Sequence, residues 1–201
     1  MNCVACEEVT FEFRYCPEHH SYRFEGQRLT SVTRVISSII PYEPKDPAAA
    51  DNARDRGVET DDLFCAYVTG KLREIPANTR LDSIALFEKL RKWWDSERRG
   101  TPEVQGIVHD KSVAGKFDLR CDGIRYDLKC TYVVSPLAPI QLAAYESLDT
   151  QKSEELRIIH ATERFKEVKI KYVPMADAMA DWHTLRSAWE LKKRLRIDEG
   201  D

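Results

Sequence analysis

Apolar positions recur at helical spacing over residues 30–100 and at every second position from Glu103 onward. Ahead of both, residues 10–25 (TFEFRYCPEHHSYRFE) alternate in patches and are rich in Phe and Tyr, which predicts a hairpin turning between Pro17 and Ser21. In TSVTRVISSII, residues Val32, Val35, Ile36, Ile39 and Ile40 share a helical face behind the capping candidates Thr30 and Ser31, and Pro41 and Pro44 end it. DPAAADNARDRGVETDDLFCAYVTG opens on the cap pair Asp46–Pro47 and closes at Gly70, with Gly57 predicting an interruption. RLDSIALFEKLRKWWDSERRG places Leu81, Ile84, Leu86, Phe87, Leu90, Trp93 and Trp94 at helical intervals and stops at Gly100.

The period-two region reads as three consecutive strands: VQGIVHD, SVAGKFDLRCD and IRYDLKCTYVV. Turns fall at Asp110–Lys111 and at Asp122–Gly123, the latter a strong hairpin signal, so the three form an antiparallel meander. APIQLAAYESL is then a short helix, ELRIIHATE and KEVKIKYVP are two further strands, and residues 175–196 form a last helix ending in LKKRLRI. Helices, meander, helix, two strands and a helix, in that order, predict a mixed α/β (α+β) chain. The sequence shows no internal repeat or low-complexity segment.

With 201 residues, 42% of them hydrophobic, the chain carries enough apolar material for one sizeable core. Its net charge of −3 excludes a global attraction to polyanions, while 31 basic and 34 acidic residues leave room for opposed local patches. No apolar run approaches the ~20 residues of a membrane helix, and MNCVACEEV lacks a signal-peptide core, so a cytoplasmic protein without membrane contact is expected. In that reducing setting the six cysteines are expected as buried thiols or metal ligands rather than a disulfide framework.

The stretch VAGKFDLRCDGIRYDLKCT carries the chemistry. A hairpin pivoting at Asp122–Gly123 brings Asp118 and Asp127 face to face across the ladder, and Lys129, two residues beyond Asp127, shares its face. Two carboxylates so placed repel each other unless a hard divalent cation with oxygen ligands sits between them, which predicts a Mg²⁺ site with an ammonium beside it.

GKFD, DLK and QLAAY resemble the G-x-x-D, (D/E)-x-K and Q-x-x-x-Y elements of the PD-(D/E)xK nuclease superfamily, in its RecB-like, phage-type exonuclease branch. HSYRFEGQRLTSVTRVI is similar to the H-x-Y…G…L-x-S-V-T opening segment of small phage-type members, and RDRG to the Arg-Gly that opens the first active-site helix. Four ordered elements over residues 19–174 are far more specific than D-x-K alone. The resemblance implies a restriction-endonuclease-like core: a central mixed sheet with a three-strand antiparallel meander, flanked by helices.

It also implies roles. Asp118, Asp127 and the backbone carbonyl of Leu128 would bind Mg²⁺ or Mn²⁺, and Lys129 would be the catalytic lysine. Gln141 and Tyr145 would border the site, Gln141 bonding substrate or a site carboxylate and Tyr145 supporting it, while Glu103 would supply a further carboxylate. Where members of this branch carry a histidine after Arg-Gly, this chain has RGVETDD, so Asp61 takes the place of that metal ligand. The implied activity is a metal-dependent DNA exonuclease working on single-stranded or duplex ends in recombination, repair or phage DNA metabolism, with a recombination protein as partner. A catalytically idle DNA-binding or assembly module, or an endonuclease of the same superfamily, stands as the alternative.

A second site is expected in residues 1–28, a small β element set before a nuclease domain at 29–201. Cys3-x-x-Cys6 and Cys16-x-x-His19 have the spacing of two knuckles that close a structural Zn²⁺ site. Cys65, Cys121 and Cys130 lack the grouping of an iron–sulfur cluster. Trp93, Trp94, Trp182 and Trp189 sit at helical spacing and read as core rather than base-stacking platforms.

Overall fold

The computed structural model describes residues 13–16, 19, 21–44, 46–97 and 100–197. Strands β1 (Arg14–Cys16) and β2 (Ser21–Phe24) form the hairpin that the aromatic alternation predicts, and β3 (Gln27–Ser31), which that alternation does not reach, pairs antiparallel with β2. The β2–β3 turn, Glu25–Gly26, has φ 49° and 76°, the double positive φ that matches a tight hairpin to strand twist. A boundary after residue 28 falls inside β3, which goes on to pair parallel with the strand Val113–Lys116 at Thr30–Val113 and Ser31–Ala114.

Helix α1 (Val32–Ile39) starts at Ser31, whose side chain accepts the Arg34 N–H at 3.2 Å. Helix α2 (Pro47–Val68) is capped by Asp46, which accepts the Ala49 N–H at 3.0 Å. It runs through Gly57 without the expected interruption. A single glycine costs a helix only about 1 kcal/mol, and buried Arg56 and Thr60 flank it; the Thr60 hydroxyl donates to the Arg56 carbonyl at 2.8 Å. Helix α3 (Leu81–Glu97) packs alongside α2.

The meander contains a bend that alternation does not reveal. Its first strand divides into β4 (Glu103–Val104) and β5 (Ile107–His109), its second into β6 (Val113–Lys116) and β7 (Leu119–Cys121). The break centres on Gln105, at φ 50°, and on Gly106, where an added Cβ would lie 2.1 Å from Cζ of buried Phe117. Backbone bonds still cross it, Gln105 N–H to the Asp118 carbonyl at 2.8 Å and Phe117 N–H to the Gly106 carbonyl at 2.9 Å. With β8 (Ile124–Lys129), β9 (Glu155–His160) and β10 (Lys169–Val173), one ribbon therefore serves two sheets, ordered β1-β2-β3-β6-β5 and β10-β9-β8-β7-β4. Strand β8 (Ile124–Lys129) returns through Asp122–Gly123, at φ 49° and 74°, in the predicted register.

Helix α4 (Ala138–Leu148) carries the chain from β8 to β9 (Glu155–His160), which lies parallel to β8. Strand β10 (Lys169–Val173) and helix α5 (Met175–Arg194) complete the chain. The sheet of β8 and β9 is covered on both faces. Leu156 and Ile158 join the core formed with α1, α4 and α5, while Ile159, Tyr126 and Leu119 join that formed with α2 and α3. Trp182 and Trp189 are buried in the first core, and Trp93 and Trp94 pack partly buried against the second. The expected mixed sheet with an antiparallel meander between helices is the fold observed.

Candidate active site

Strand β8 presents Ile124 and Tyr126 to the core under α2 and α3, so Arg125, Asp127 and Lys129 face α4. On the neighbouring strand the bend at Phe117–Asp118 sets Asp118 at the junction of the two sheets. Continuing the β7–β8 register by one residue puts Asp118 opposite Asp127, and Asp118 Oδ2 accepts the Leu128 N–H at 2.6 Å. A strand residue directs its N–H and C=O to the same side, which puts the Leu128 carbonyl on this edge too.

Lys129 Nζ hydrogen-bonds Asp127 Oδ1 at 2.9 Å and lies 2.8 Å from Oδ2, without hydrogen-bond geometry to the second oxygen. Nζ also donates to Gln141 Oε1 at 3.3 Å, and Gln141 Nε2 donates to the Tyr145 hydroxyl at 2.6 Å. Gln141 and Tyr145 thus stand one helical turn apart on the predicted face of α4, but Gln141 serves the lysine rather than a carboxylate. Gly115 is what lets Tyr145 approach, because a Cβ there would lie 2.4 Å from Tyr145 Cε1.

Electrostatics separates these groups from ordinary surface charges. Burial, then the charges of Asp127 and Asp61, hold the Asp118 carboxyl well above the usual range. Burial also raises Asp127, against the pull of Lys129. For Lys129, burial favours the neutral amine, yet Asp127 and Asp118 outweigh it and keep the ammonium. Burial raises Asp61 as well. Asp61 Oδ2 accepts from Gln105 Nε2 at 3.0 Å, and Cys65 Sγ donates to its Oδ1 at 3.4 Å. Burial lifts the Cys65 thiol out of the physiological range and pushes Cys130 up to about 12, so both stay protonated.

Asp61 on α2 therefore lies close enough to act on Asp118. Its partner Gln105 stands opposite Asp118 across the bend, a neighbour with no signal in the sequence because only the positive φ at that position turns it inward. Lys116 also acts on Asp61 by charge. Arg56, of the RDRG segment, is structural: it donates to the Cys130 carbonyl at 3.1 Å and pairs with Glu163 at 3.0 Å, tying α2 to the end of β8.

Glu103 does not join the group. It stands directly opposite Arg120 in the β4–β7 ladder and forms an ion pair there with an exposed carboxylate. In the expected zinc knuckles, Cys16 Sγ and His19 Nδ1 are 3.3 Å apart, while Cys3 and Cys6 lie outside the described residues. Cys16, Cys65, Cys121 and Cys130 are all buried.

The donor set fits a hard divalent ion. Asp127 Oδ2 is buried without a hydrogen bond, beside a second carboxylate whose charge the site resists. Among the described residues no three His, Cys, Asp or Glu side chains gather around one point. The ligands available are thus Asp118, Asp127 and the Leu128 carbonyl, with water completing the set.

No family model and no curated protein matches the sequence. Among solved structures, the chain is similar to a protein presumed to be an exonuclease from Eubacterium rectale, with a TM-score of 0.53 at 13% identity over 86% of this chain and 83% of that one. An alkaline exonuclease from Laribacter hongkongensis gives 0.49 at 14% identity, over 85% and 90% of the two chains. A phage-related exonuclease from Haemophilus somnus gives 0.40 at 11%, over 83% and 96%. The first similarity is one of fold alone, and it agrees with the restriction-endonuclease-like core expected from GKFD, DLK and QLAAY.

Proposed function

We propose that the chain is a metal-dependent deoxyribonuclease that hydrolyses phosphodiester bonds as an exonuclease, acting on single-stranded DNA ends in recombination, repair or phage DNA metabolism. The observation that carries the reading is the buried pair Asp118–Asp127 set against Lys129, itself held by Gln141 of α4. A fold without this function has no use for like charges at the junction of two sheets, since two apolar residues would pack there at no electrostatic cost.

Asp118, Asp127 and the Leu128 carbonyl would hold Mg²⁺ or Mn²⁺, which when bound lowers the pKa of a water and polarises a phosphoryl oxygen. Lys129 supplies a fixed positive charge where charge builds up on the phosphate, and its bonds to Asp127 and Gln141 limit the reorganisation it needs during the reaction. Tyr145, kept protonated by burial, fixes Gln141 and through it the ammonium. Asp61, held by Gln105, adds negative charge on the α2 side and with it cation affinity.

The test is a time course with Mg²⁺ on 5′- and 3′-labelled single-stranded, duplex and closed circular DNA, run for the wild type, Asp127→Ala and Lys129→Ala. The expected result is stepwise loss of label from one end, absent in both variants. Cleavage of closed circles would replace the exonuclease by an endonuclease. Unchanged Mg²⁺-dependent cleavage by either variant would sink the assignment.

A further inference from the structure

Helices α1 and α5 leave between them an open cleft of about 690 Å³, lined by Arg34, Ser37 and Ser38 of α1 with Thr30 before it and Pro41 after it, and by Trp189, Lys192 and Lys193 of α5 with Arg196 just past its end. Among the described residues that line it are four cationic side chains and no carboxylate, in a chain with more acids than bases. None of its residues belongs to the catalytic group.

Basic residues in the last turn of α5 have an ordinary explanation, since cations suit the negative end of a helix. That accounts for neither Arg34, which projects into the same space from another helix, nor for Arg196. Arg196 follows the end of α5 at φ 56°, a left-handed conformation usually left to glycine, where its N–H bonds the Lys193 carbonyl at 3.2 Å. A long cationic side chain is thus kept at a position where the backbone favours none. Lys192 is braced across the cleft by a 2.9 Å bond to the Ser38 carbonyl. The Lys193 ammonium lies 5.4 Å from the Trp189 ring centroid, and the guanidinium of exposed Arg34 has no carboxylate partner among the described residues.

We infer that this cleft is a second phosphate-binding site, one that holds the backbone of the nucleic-acid substrate away from the bond being cut. The inference rests on the nuclease reading and extends it. Cations at such spacing recognise phosphodiester charge without reading base identity. Distance supports the arrangement. Thr30 pairs with Val113, five residues before Asp118 along the bent ribbon, and at about 3.3 Å per residue plus an inter-strand step of about 4.8 Å this sets the Thr30 rim of the cleft at most roughly 21 Å from the backbone of Asp118. Phosphates lie about 3.4 Å apart along the axis of a duplex strand and further apart in an extended single strand, so an oligonucleotide reaching about six nucleotides from the reacting one spans that distance in either form.

The experiment measures binding of end-labelled oligonucleotides of graded length by fluorescence anisotropy in EDTA, between about 50 and 200 mM salt, for the wild type, Arg34→Ala/Lys193→Ala and the charge reversal Arg34→Glu. Thermal unfolding midpoints equal to wild type establish that the exposed substitutions leave the fold intact. Two lost phosphate contacts should lower the salt exponent by about 2 on long oligonucleotides, so that the same salt step weakens the double variant about tenfold less than the wild type. Arg34→Glu should weaken long oligonucleotides further than the neutral substitution.

An unchanged exponent on long oligonucleotides, in a wild type that binds and cleaves DNA, overturns the cleft and leaves the nuclease reading standing. Saturable binding of inorganic phosphate that the double variant abolishes, with the DNA exponent unmoved, also overturns it and makes the cleft a small-anion site. A wild type that neither binds nor cleaves DNA overturns both readings together.

Discussion

One face of β8 carries two ionic clusters against the same helix, and they follow opposite rules. At its start, Arg125 is fully buried and answered by acids: Nε donates to Glu146 at 3.0 Å and Nη2 to Asp149 at 2.6 Å, with Arg120 adding a 2.7 Å bond to Asp149. Glu146 is satisfied in turn by the Ser153 N–H at 2.8 Å, and the guanidinium lies 4.4 Å from the Phe117 ring centroid. At its end, Asp127 and Lys129 stand beside Asp118 and Asp61, so that acids outnumber the buried cation. The first cluster holds α4 on the sheet. The second stores a repulsion that folding alone would remove, and such strain is kept where function requires it.

The contrast is broken most sharply by activity. Lys129→Met should lower DNA cleavage on the order of 10³-fold, the scale for losing a fixed charge aimed at developing negative charge. Asp118→Asn should abolish cleavage while leaving the midpoint of urea unfolding unchanged or higher, because it removes a like charge and keeps an oxygen for the Leu128 N–H. Arg125→Met should do the reverse of a catalytic substitution and cost about 3–5 kcal/mol of stability, since it strands Glu146 and Asp149 without their cation. Equal stability losses in the Asp118 and Arg125 variants would erase the distinction between the clusters.

Gly115→Ala tests the coupling between packing and site. Its Cβ would push Tyr145 and, through Gln141, Lys129, so a stability loss of about 1–3 kcal/mol should come with a fall in cleavage rate at unchanged DNA affinity. The Arg125 cluster also has a pH signature. Burial opposes the charge of Asp149, but hydrogen bonds from Arg125 and the Gln151 N–H outweigh it and hold the carboxyl below its usual value. Its folded pKa is thus lower than its unfolded one. The contribution is fully present above the ordinary carboxylate range and is lost as pH falls through the folded value. Chemical denaturation across the acid range should show that slope in the wild type and a flatter one in Asp149→Asn.

The smallest effect is expected of Glu103→Gln. The half-exposed Glu103 carboxylate contributes under about 1 kcal/mol through its pair with Arg120, a guanidinium that Asp149 also holds, and the DNA cleavage rate should not move. A large loss of activity would show that Glu103 reaches the catalytic group after all.

Most of the candidate catalytic group was legible in the sequence because it depends on short-range rules. Asp122–Gly123 dictates a two-residue turn, the turn sets the register, and the register puts Asp118 opposite Asp127 with Lys129 one pleat further along. The spacing of Gln141 and Tyr145 likewise follows from a helical turn. Glu103 was misplaced because a strand-end carboxylate looks the same in sequence whether it faces a cation site or an arginine across the ladder.

What only the tertiary structure decided lies at the bend. Period-two alternation continues unbroken through Gly115, Phe117 and Leu119, so the sequence pattern alone describes one straight strand. Burial of Phe117 against Gly106 and the positive φ of Gln105 divide that strand between two sheets, bring Gln105 onto Asp61, and carry a helix fifty residues upstream to the carboxylates. The basic cleft of α1 and α5 has the same origin. Arg34 and Lys193 are far apart in the chain, and only the packing of two helices on one core sets their charges side by side. Local chemistry is written in neighbouring residues, whereas the meeting of distant charges depends on how the apolar faces close.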